Sequence, residues 1–417
     1  MTDLEQKPRL RFKGFTEAWE QRKVIDLMDV GSVKRIHQSD WTQSGIRFLR
    51  ARDIVASYNG ESIEDPLFIS KEKYDEYSLI SGKVKKGDLL VTGVGTIGIP
   101  MLISDENPIY FKDGNVIWLK NNNSVDGNFL FFIYDSKIVK SFINDEAGIG
   151  TVGTYTIDSC KRTPLNLPIL KEQEKIGLFF DKLDSLITLH QRKYEKLKSM
   201  KAALLEKMFP SENETTPKIR FKGFTEAWEQ RVIKDLITKG GSGGTPSTSN
   251  SSFYNGKIPF LSITDISNSN GFIFDTEKHI TEEALNSSTA WIVPKESVSL
   301  AMYASVGKVA ILKENIATSQ AFYNMIFKTL ELRDYCFQYL KKMEINNEWL
   351  PYISTGTQAN LNAEKVQNLK LKVPLEESEQ RKVGQLFYKL DSLITLHQRK
   401  CEKLKNLKKS LLERMFI

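Results

Sequence analysis

Cysteine and histidine are scarce in this chain of 417 residues, which contains three cysteines and four histidines. The cysteines, Cys160, Cys336 and Cys401, lie far apart and form no CxxC spacing. This pattern excludes a disulfide framework and a zinc site built on paired cysteines, and it fits a reducing compartment. We therefore expect a cytoplasmic protein that holds no metal or cofactor of its own.

Long apolar segments are also lacking. The first residues, MTDLEQKPRLRFKGF, contain no hydrophobic stretch of the kind found in a signal peptide. The longest mostly apolar run, residues 88–103, is interrupted by glycine and threonine and is too short and too polar to cross a membrane. We expect this run to form buried strands joined by a turn, and we expect no membrane partner.

Catalytic and cofactor motifs are missing as well. The glycine-rich segment 239–247 lacks the Gly-Lys-Ser/Thr ending of a phosphate loop, and TGVGTIG (92–98) lacks the helix and acidic residue that follow a dinucleotide loop. Neither an HExxH motif nor the (Asp/Asn/Ser)-Pro-Pro-aromatic motif of amino-methyltransferases occurs. The sequence therefore predicts a protein without a catalytic site of its own.

The chain does contain a long internal duplication. Residues 8–22 (PRLRFKGFTEAWEQR) and 217–231 (PKIRFKGFTEAWEQR) are identical at 13 of 15 positions, and residues 182–209 and 389–416 at 22 of 28. The two stretches between these near-copies have diverged far more, which indicates one architecture used twice. The predicted divisions are a first globular domain at 1–168, a helix at 169–209, a linker at 210–217, a second globular domain at 218–374 and a second helix at 375–417.

The second pair of near-copies has helical periodicity, with a seam at alternating steps of four and three residues. The predicted seam residues are Leu183, Ile187, His190, Tyr194, Leu197, Leu204 and Met208 in the first helix, and Leu390, Ile394, His397, Leu404, Leu411 and Met415 in the second. We interpret both histidines as seam residues rather than as ligands or bases. A long helix with an apolar seam needs a partner, and the other copy is the obvious one. The short linker favours an antiparallel pair, and a parallel pair is the less economical alternative.

The two diverged stretches share matching segments. IRFLRARDI (46–54) matches KIPFLSITDI (257–266), and GDLLVTGVGTIGIPMLI (87–103) matches ESVSLAMYASVGKVAIL (296–312). Asp53 thereby matches Asp265, and Gly98 matches Gly307. Their β-branched residues and interspersed glycines indicate strands. The predicted fold class is α/β (α+β): two globular domains with curled mixed sheets, separated by two long antiparallel coiled-coil helices, with a pseudo-two-fold internal repeat.

Positive charge is concentrated on the two predicted helices. The chain has a net charge of +7, of which residues 182–209 contribute +4 and residues 389–416 contribute +5, so the rest is about −2. A basic stripe is typical of a nucleic-acid-binding surface. A lysine-rich helix is also an ordinary solvated face, and both interpretations stay open.

Polar loop side chains in the diverged stretches are candidates for reading DNA, because Ser, Thr, Asn, Gln and Arg carry the groups that distinguish base edges. The candidates in the first stretch are Lys34, Arg35, Arg47, Arg50, Arg52, Thr151, Thr154 and Tyr155. Those in the second are Ser242, Thr245, Ser247, Tyr303, Ser319, Gln320, Thr357, Gln358 and Asn360. Each of them alone fits a plain loop or capping role equally well.

Over essentially its full length, the chain resembles the specificity subunits of type I restriction-modification systems. The resemblance rests on the FKGFTEAWEQR openings, on GGTPS, IPFLSITDI, SQAFYN and STGTQANLN in the second half, and on the exits PILKEQ (168–173) and PLEESEQ (374–380). The first half departs from the pattern with GSVKRIHQS (31–39) and KDGNVIW (112–118), which changes the residues that would contact DNA.

The resemblance implies a function. Each globular domain would be a target recognition domain that reads one half of a bipartite, asymmetric site in double-stranded DNA. The helices would set the spacer and dock two methyltransferase (M) subunits, which carry S-adenosylmethionine and modify adenine. Restriction (R) subunits that use ATP and Mg would complete a complex for DNA methylation and phage defence, in which this chain is non-catalytic.

A rival hypothesis is a non-catalytic two-domain coiled-coil scaffold that binds other ligands and no duplex specifically. The basic helices likewise keep two alternative roles, which are contact with DNA phosphates and docking of partner helices.

Overall fold

The computed structural model describes residues 7–147, 153–211, 213–354 and 360–417. The chain forms two compact units: unit 1 is Met1–Leu189 with Lys400–Ile417, and unit 2 is His190–Arg399. Each unit contains one diverged stretch and a part of both long helices. No helix within the described ranges is both long and apolar enough to span a membrane.

Unit 1 contains short strands and helices that alternate along the chain. Its strands are β1 (Glu20–Lys23), β2 (Asp29–Gly31), β3 (Trp41–Thr42), β4 (Ile46–Leu49), β5 (Leu67–Ile69), β6 (Leu89–Thr92), β7 (Pro100–Leu102), β8 (Ile109–Phe111), β9 (Val116–Lys120) and β10 (Pro164–Leu167). Its helices are α1 (Ala51–Asn59), α2 (Lys71–Ser81), α3 (Gly127–Tyr134), α4 (Lys137–Glu146), α5 (Ile157–Arg162) and the long α6 (Leu170–Met208), which continues into unit 2.

Unit 2 repeats this order with local differences. Its strands are β11 (Glu229–Val232), β12 (Ile237–Gly241), β13 (Ile258–Phe260), β14 (Phe272–Ile273), β15 (Lys278–Ile280), β16 (Trp291–Val293), β17 (Val298–Ala301), β18 (Val309–Leu312), β19 (Ile316–Thr318), β20 (Phe322–Phe327) and β21 (Lys370–Val373). Its helices are α7 (Ile233–Leu236), α8 (Ile263–Asn268), α9 (Glu282–Asn286), α10 (Leu330–Ile345), α11 (Ala363–Gln367) and the long α12 (Glu377–Met415), which continues into unit 1.

The sheets of the two units share a core of matched strand pairs and differ at their edges. Unit 2 adds β14 next to β18 and places β16 next to β19, whereas unit 1 places β3 next to β5. Unit 1 has sheets of order β2-β9-β6-β7 and β3-β5-β4-β8, and unit 2 has β12-β20-β17-β18-β14 and β15-β13-β19-β16. The matched pairs β4–β8 and β13–β19 are parallel, as is the additional pair β14–β18 of unit 2, and the other strand pairs are antiparallel. The predicted mixed α/β fold with two domains is therefore confirmed. Each domain divides most of its strands between two sheets.

A matched glycine turn joins the buried strands of each unit. Gly98, with φ of +74°, donates its backbone N–H to Thr92 O at 2.7 Å. Gly307, with φ of +87°, makes the same bond to Ala301 O at 3.0 Å. A positive φ favours glycine over every other residue. This backbone requirement explains why glycine occupies both matched positions.

The long helices pack against each other in an antiparallel arrangement within unit 2. His190 Nδ1 lies 2.8 Å from His397 Nδ1, and Lys201 Nζ lies 2.6 Å from Asp391 Oδ1. The partner number falls from 397 to 391 as the α6 number rises from 190 to 201, which requires opposite chain directions. Both helices have 39 residues. The predicted antiparallel coiled-coil pair is thus confirmed.

The seam residues differ in burial. Leu183, Met208, Leu390 and Met415 are buried; Ile187, His190, Tyr194, Leu197, Ile394, His397, Leu404 and Leu411 are half-buried. The ends of the seam belong to the hydrophobic cores of the globular parts, because Met415 packs in the core of unit 1 and Met208 in that of unit 2. In the central part of the seam, the two helices pack against each other and their outer faces are exposed to solvent.

A buried arginine–carboxylate pair explains why the FKGFTEAWEQR openings and the exits are both repeated. Arg11 donates two hydrogen bonds of 2.7 Å to Glu172, and Arg220 donates two of 2.7 and 2.8 Å to Glu379. The two glutamate side chains are 0% and 2% exposed. The fork of a guanidinium matches both oxygens of a carboxylate, so this pair fastens the start of each domain to its exit helix.

Candidate nucleic-acid interface

The matched aspartates, Asp53 and Asp265, hold the first turn of a helix in each unit. Asp53 Oδ2 accepts the backbone N–H of Arg50 at 2.8 Å, and Asp265 Oδ2 accepts that of Ser262 at 2.9 Å. Both acceptors satisfy an otherwise free donor at the start of a helix, α1 or α8. These carboxylates therefore orient the loop that leads into each helix.

Two equivalent loops meet in each unit, but they meet through different chemistry. In unit 1, Arg35 Nε donates to Asp113 Oδ2 at 2.8 Å. In unit 2, Thr245 Oγ1 donates to Gln320 Oε1 at 2.8 Å. The first member of each pair stands four residues after β2 or β12, and the second lies between β8 and β9 or between β19 and β20. The shared backbone thus carries a charged pair in one unit and a neutral pair in the other.

In unit 1 the segment around Thr154 is linked through Val94 and Gly93 to the loop that contains Asp113. Thr154 forms an isolated β-bridge with Val94, and the backbone N–H of Gly93 donates to Asn115 O at 2.9 Å. Asn115 belongs to the same loop as Asp113. We define candidate edge 1 as Lys34, Arg35, Asp113 and Thr154.

In unit 2 the corresponding segments meet through Met302. Its N–H donates to Ala321 O at 2.8 Å, and its O accepts the N–H of Leu361 at 2.7 Å. These bonds bring together the chain neighbours of the bonded residues, which are Tyr303, Gln320 and Asn360. Candidate edge 2 is defined as Thr245, Tyr303, Gln320 and Asn360.

The glycine-rich loop of unit 2 needs its glycines for close packing. A Cβ on Gly243 would overlap the carbonyl of Thr318, and one on Gly244 would overlap the side chain of Thr289. The polar residues of the same loop, Ser242 and Ser247, stay exposed. The glycines therefore allow this loop to pack closely against the sheet, while its serine hydroxyl groups remain exposed to solvent.

Two of the predicted DNA contacts are buried side chains. Tyr155 is 2% exposed, and its hydroxyl is hydrogen-bonded to Thr163 Oγ1 inside the core. Burial raises the pKa of this phenol well above its ordinary value. Ser319 is 7% exposed, and its hydroxyl accepts the N–H of Ala321 within a tight turn. Both side chains are engaged in internal hydrogen bonds, and the spacing of polar residues in the sequence does not reveal this inward direction.

The arginines at the start of α1 are largely held by internal partners. Arg47 Nη1 donates to Leu67 O at 2.8 Å, and burial is the main cause that lowers its pKa. Arg50 donates two bonds of 3.0 Å to Asp53 and a third to Asp65 O at 2.6 Å. Arg52, with a side chain 61% exposed, is the most accessible of the three.

The remaining predicted contacts stay predictions. Lys34 and Thr154 are exposed in unit 1, and the Arg35 side chain is 69% exposed. Thr245, Tyr303 and Gln320 are exposed in unit 2, while Asn360 is half-buried. Thr151, Thr357 and Gln358 lie outside the described residues. Within the described ranges no group of three or more His, Cys, Asp or Glu side chains is arranged to hold a metal ion.

Sequence reasoning missed a set of repeat-related apolar residues on the outer faces of the long helices. The outer stripe consists of Leu186, Leu189 and Met200 in α6 and Leu393, Leu396 and Leu407 in α12, each between 41% and 46% exposed. Every member has its counterpart 207 positions away in the other helix. The repeat alignment contains this pattern, but the predicted seam includes none of these residues.

Comparisons with known proteins agree over most of the chain. A family model described as the type I restriction modification DNA specificity domain matches residues 16–199 and 225–406. A protein of Haemophilus influenzae described as a type I restriction enzyme specificity subunit is 35% identical over 172 residues, which are 40% of this chain and 41% of that protein. The MjaIX specificity subunit of Methanocaldococcus jannaschii is 32% identical over 192 residues, which are 46% of this chain and 44% of that protein.

The chain thus spans less than half the length of these two curated relatives. A solved structure, the S subunit of a type I restriction-modification system from M. genitalium, aligns with a TM-score of 0.63 over 99% of both chains at 14% identity. That likeness shows a shared fold. Since the family model covers both diverged stretches and most of both long helices, the chain belongs to the family of type I restriction-modification DNA specificity subunits.

Proposed function

We propose that this chain selects the DNA target of a type I restriction-modification complex. Unit 1 reads one half of a bipartite, asymmetric duplex site through candidate edge 1, and unit 2 reads the other half through candidate edge 2. The complex acts on DNA in the cytoplasm. Catalysis belongs to the other subunits, which are two methyltransferase (M) subunits with S-adenosylmethionine and restriction (R) subunits with ATP and Mg.

The observation that carries this proposal is the pair of equivalent loop contacts with unlike chemistry. Arg35 with Asp113 and Thr245 with Gln320 occupy the same backbone position in the two units. Side chains of these types present different hydrogen-bonding groups to base edges. A common scaffold with unlike readers is what an asymmetric two-part DNA site requires.

The long helices support the second half of the proposal. The outer stripe presents the same apolar residues on α6 and on α12, beside exposed lysines such as Lys193 and Lys400. An apolar patch rimmed by charge is typical of a protein-binding surface. Because the stripe is duplicated, it fits two copies of one partner, and the M subunit is that partner.

A domain exchange tests the reading function. Residues 240–365 are replaced by the corresponding stretch of another member of the family, and the methylated motif is read by modified-base sequencing of the host genome. We expect one half of the motif to change while the other half and the spacer are retained. A change in both halves would contradict the assignment of one half-site to each unit.

A stoichiometry experiment tests the docking function. Leu186→Glu with Leu189→Glu, and separately Leu393→Glu with Leu396→Glu, place charges in one copy of the outer stripe. We expect native mass spectrometry to show one M subunit per chain for each variant and two for the unaltered chain. Leu178→Glu is the matched control, because Leu178 is 50% exposed but its repeat counterpart is Gln385. Two bound M subunits in both double variants would overturn the assignment.

A further inference from the structure

The end of helix α2 in unit 1 carries an unusually exposed pair of apolar side chains. Leu79 is 88% exposed and Ile80 is 64% exposed, and Leu79 is the most exposed large apolar residue in the described part of the chain. Leaving such side chains in water forgoes most of the stabilisation that burial would provide. A large exposed apolar surface therefore calls for something that covers it.

This pair is held in place by the surrounding structure. At the start of α2, Ser70 Oγ accepts the N–H of Lys73 at 3.2 Å; at its end, Ser81 Oγ accepts the N–H of Lys34 at 2.7 Å. On the opposite face of the helix Tyr74 is buried against the Tyr110 ring. The pair is thus displayed on an anchored helix, so that little conformational entropy remains to be lost when it is covered.

The surroundings of the pair are rich in lysine. Lys34 Nζ lies 4.2 Å and Lys73 Nζ 4.7 Å from the centre of the Tyr77 ring, one turn before the pair. Lys120 Nζ donates to Ser81 O at 3.3 Å. The carboxylates nearest the pair on α2 are themselves paired, Asp75 with Lys83 at 3.4 Å and Glu76 with Lys73 at 3.5 Å. Within the described ranges Lys34 and Lys120 have no carboxylate within ion-pairing distance. An apolar tip beside ammonium groups that no carboxylate neutralises, those of Lys34 and Lys120, complements a polyanion with an apolar interior.

The tip is also specific to unit 1. The equivalent helix of unit 2, α9, starts from the same kind of cap, with Thr281 Oγ1 accepting the N–H of Ala284 at 3.1 Å. It has 5 residues where α2 has 11, and its leucine, Leu285, packs against a small core cluster. The extension therefore belongs to the diverged part of the chain. Through Lys34 it is continuous with candidate edge 1.

We propose that Leu79 and Ile80 form a wedge that inserts into the base stack of duplex DNA within the half-site of unit 1. Leucine and isoleucine side chains that enter a base step unstack it and kink the duplex, and flanking lysines hold the phosphates on both sides. The wedge gives unit 1 a preference for steps that unstack easily, which is a reading of DNA shape at positions where no base edge is contacted. The proposal rests on the reading function proposed for unit 1.

The test uses the full chain assembled with its M subunits. The probe is a duplex that carries the motif found by modified-base sequencing, with 2-aminopurine replacing each purine of the unit 1 half in turn. Fluorescence of 2-aminopurine rises when its stacking is lost. We expect an increase at one step with the unaltered complex, loss of that increase with Leu79→Ala combined with Ile80→Ala, and DNA affinity about tenfold weaker.

Two controls separate the possible failures. Leu350→Ala removes a leucine of unit 2 that is 70% exposed, and we expect it to leave both fluorescence and affinity unchanged. Specific binding without an increase at any step of the unit 1 half would overturn the wedge and leave the reading function intact. Absence of any motif-specific binding would instead contradict the reading function itself. Loss of an M subunit in the double variant would also overturn the wedge, because the tip would then be a protein contact.

Discussion

Lys201 Nζ lies 2.6 Å from Asp391 Oδ1 in unit 2, and the residues 207 positions away, Lys408 and Asp184, form the same pair at 2.8 Å in unit 1. The pair in unit 2 is the more buried one, with side chains 11% and 14% exposed against 20% and 35%. One sequence motif thus provides the same ion pair twice in two different environments. Comparison of the two pairs therefore isolates the effect of burial on the energy of one kind of ion pair.

Removal of one partner should be far more harmful than removal of both. Lys201→Met leaves the Asp391 carboxylate buried without its cation, and we expect unit 2 to lose about 3 kcal/mol of unfolding free energy. Lys201→Met combined with Asp391→Leu should restore most of that loss. Lys408→Met should have a smaller effect, because solvent reaches Asp184. Urea unfolding of the four proteins measures these differences, and a double variant less stable than the single one would contradict this account.

The arginine–glutamate pairs predict an asymmetry between the units. In unit 2, Trp228 Nε1 also donates to Glu379 at 3.2 Å, whereas Trp19 Nε1 has no hydrogen-bond partner within the described part of unit 1. Arg11→Met therefore leaves a buried carboxylate with fewer donors than Arg220→Met does. We expect the first variant to lose roughly 1 kcal/mol more than the second, which is the contribution of one hydrogen bond.

Thermal unfolding of the two variants tests this asymmetry. Arg11→Lys and Arg220→Lys are the controls, because lysine keeps the charge but loses the two-pronged contact. Equal losses in Arg11→Met and Arg220→Met would show that the indole does not contribute.

The titration of Asp184 makes the folding stability of the protein depend on pH. Burial raises the pKa of this carboxyl above its ordinary value, although Lys408 acts in the opposite direction. The folded protein then binds this proton more tightly than the unfolded chain, so the stability contributed by this group falls as pH rises from the unfolded pKa of about 4 through the raised pKa. Asp184→Asn removes this dependence.

We therefore expect the difference in urea midpoint between the unaltered chain and Asp184→Asn to shift in favour of the variant from pH 4 to pH 7. Ser185→Ala, at an exposed neighbouring position without a titratable side chain, is the control and should show no such shift. A difference that is constant with pH would rule out titration of Asp184 as the cause.

The long helices and the domain openings were predictable from sequence because each of them occurs twice in the chain. Comparison of the copies located the long helices, their seam and the matched turn at Gly98 and Gly307. The same comparison contained the pairing of Arg11 with Glu172, since both residues recur, but pairing between distant residues cannot be derived from identity alone.

The candidate site was less predictable. Tyr155 and Ser319 carry suitable hydroxyl groups, but both side chains are buried and their hydroxyls are hydrogen-bonded internally. The exposure of Leu79 is equally hidden, because an apolar residue near a helix end looks like a core residue in the sequence. Side-chain direction is set by tertiary packing, which a single sequence does not contain.

The glycine turn of unit 2 should be more sensitive to substitution than an open turn. Gly307→Ala combines a φ of +87° with overlap between the new methyl group and the buried Trp349 ring. Gly95→Ala has a similar φ of +79° but nothing within 4 Å of its Cβ. We expect about 1 kcal/mol for Gly95→Ala from the backbone alone, and about 1–3 kcal/mol more for Gly307→Ala. Chemical unfolding measures both, and equal effects would show that the Trp349 ring moves aside freely.

The loop contacts of the two edges predict separable changes in specificity. Thr245→Ala removes the hydroxyl that meets Gln320, and Arg35→Ala removes the guanidinium that meets Asp113. A lost base contact weakens discrimination by about 1–3 kcal/mol, roughly tenfold or more, at the bases it reads. We expect Thr245→Ala to relax only the half-site of unit 2 and Arg35→Ala only that of unit 1, as measured by modified-base sequencing. Since Arg35 also carries charge, its loss alone should reduce the salt dependence of DNA binding. If either substitution relaxed both halves, the two edges would not read independently, and the duplicated scaffold would have to recognise the site as a single surface.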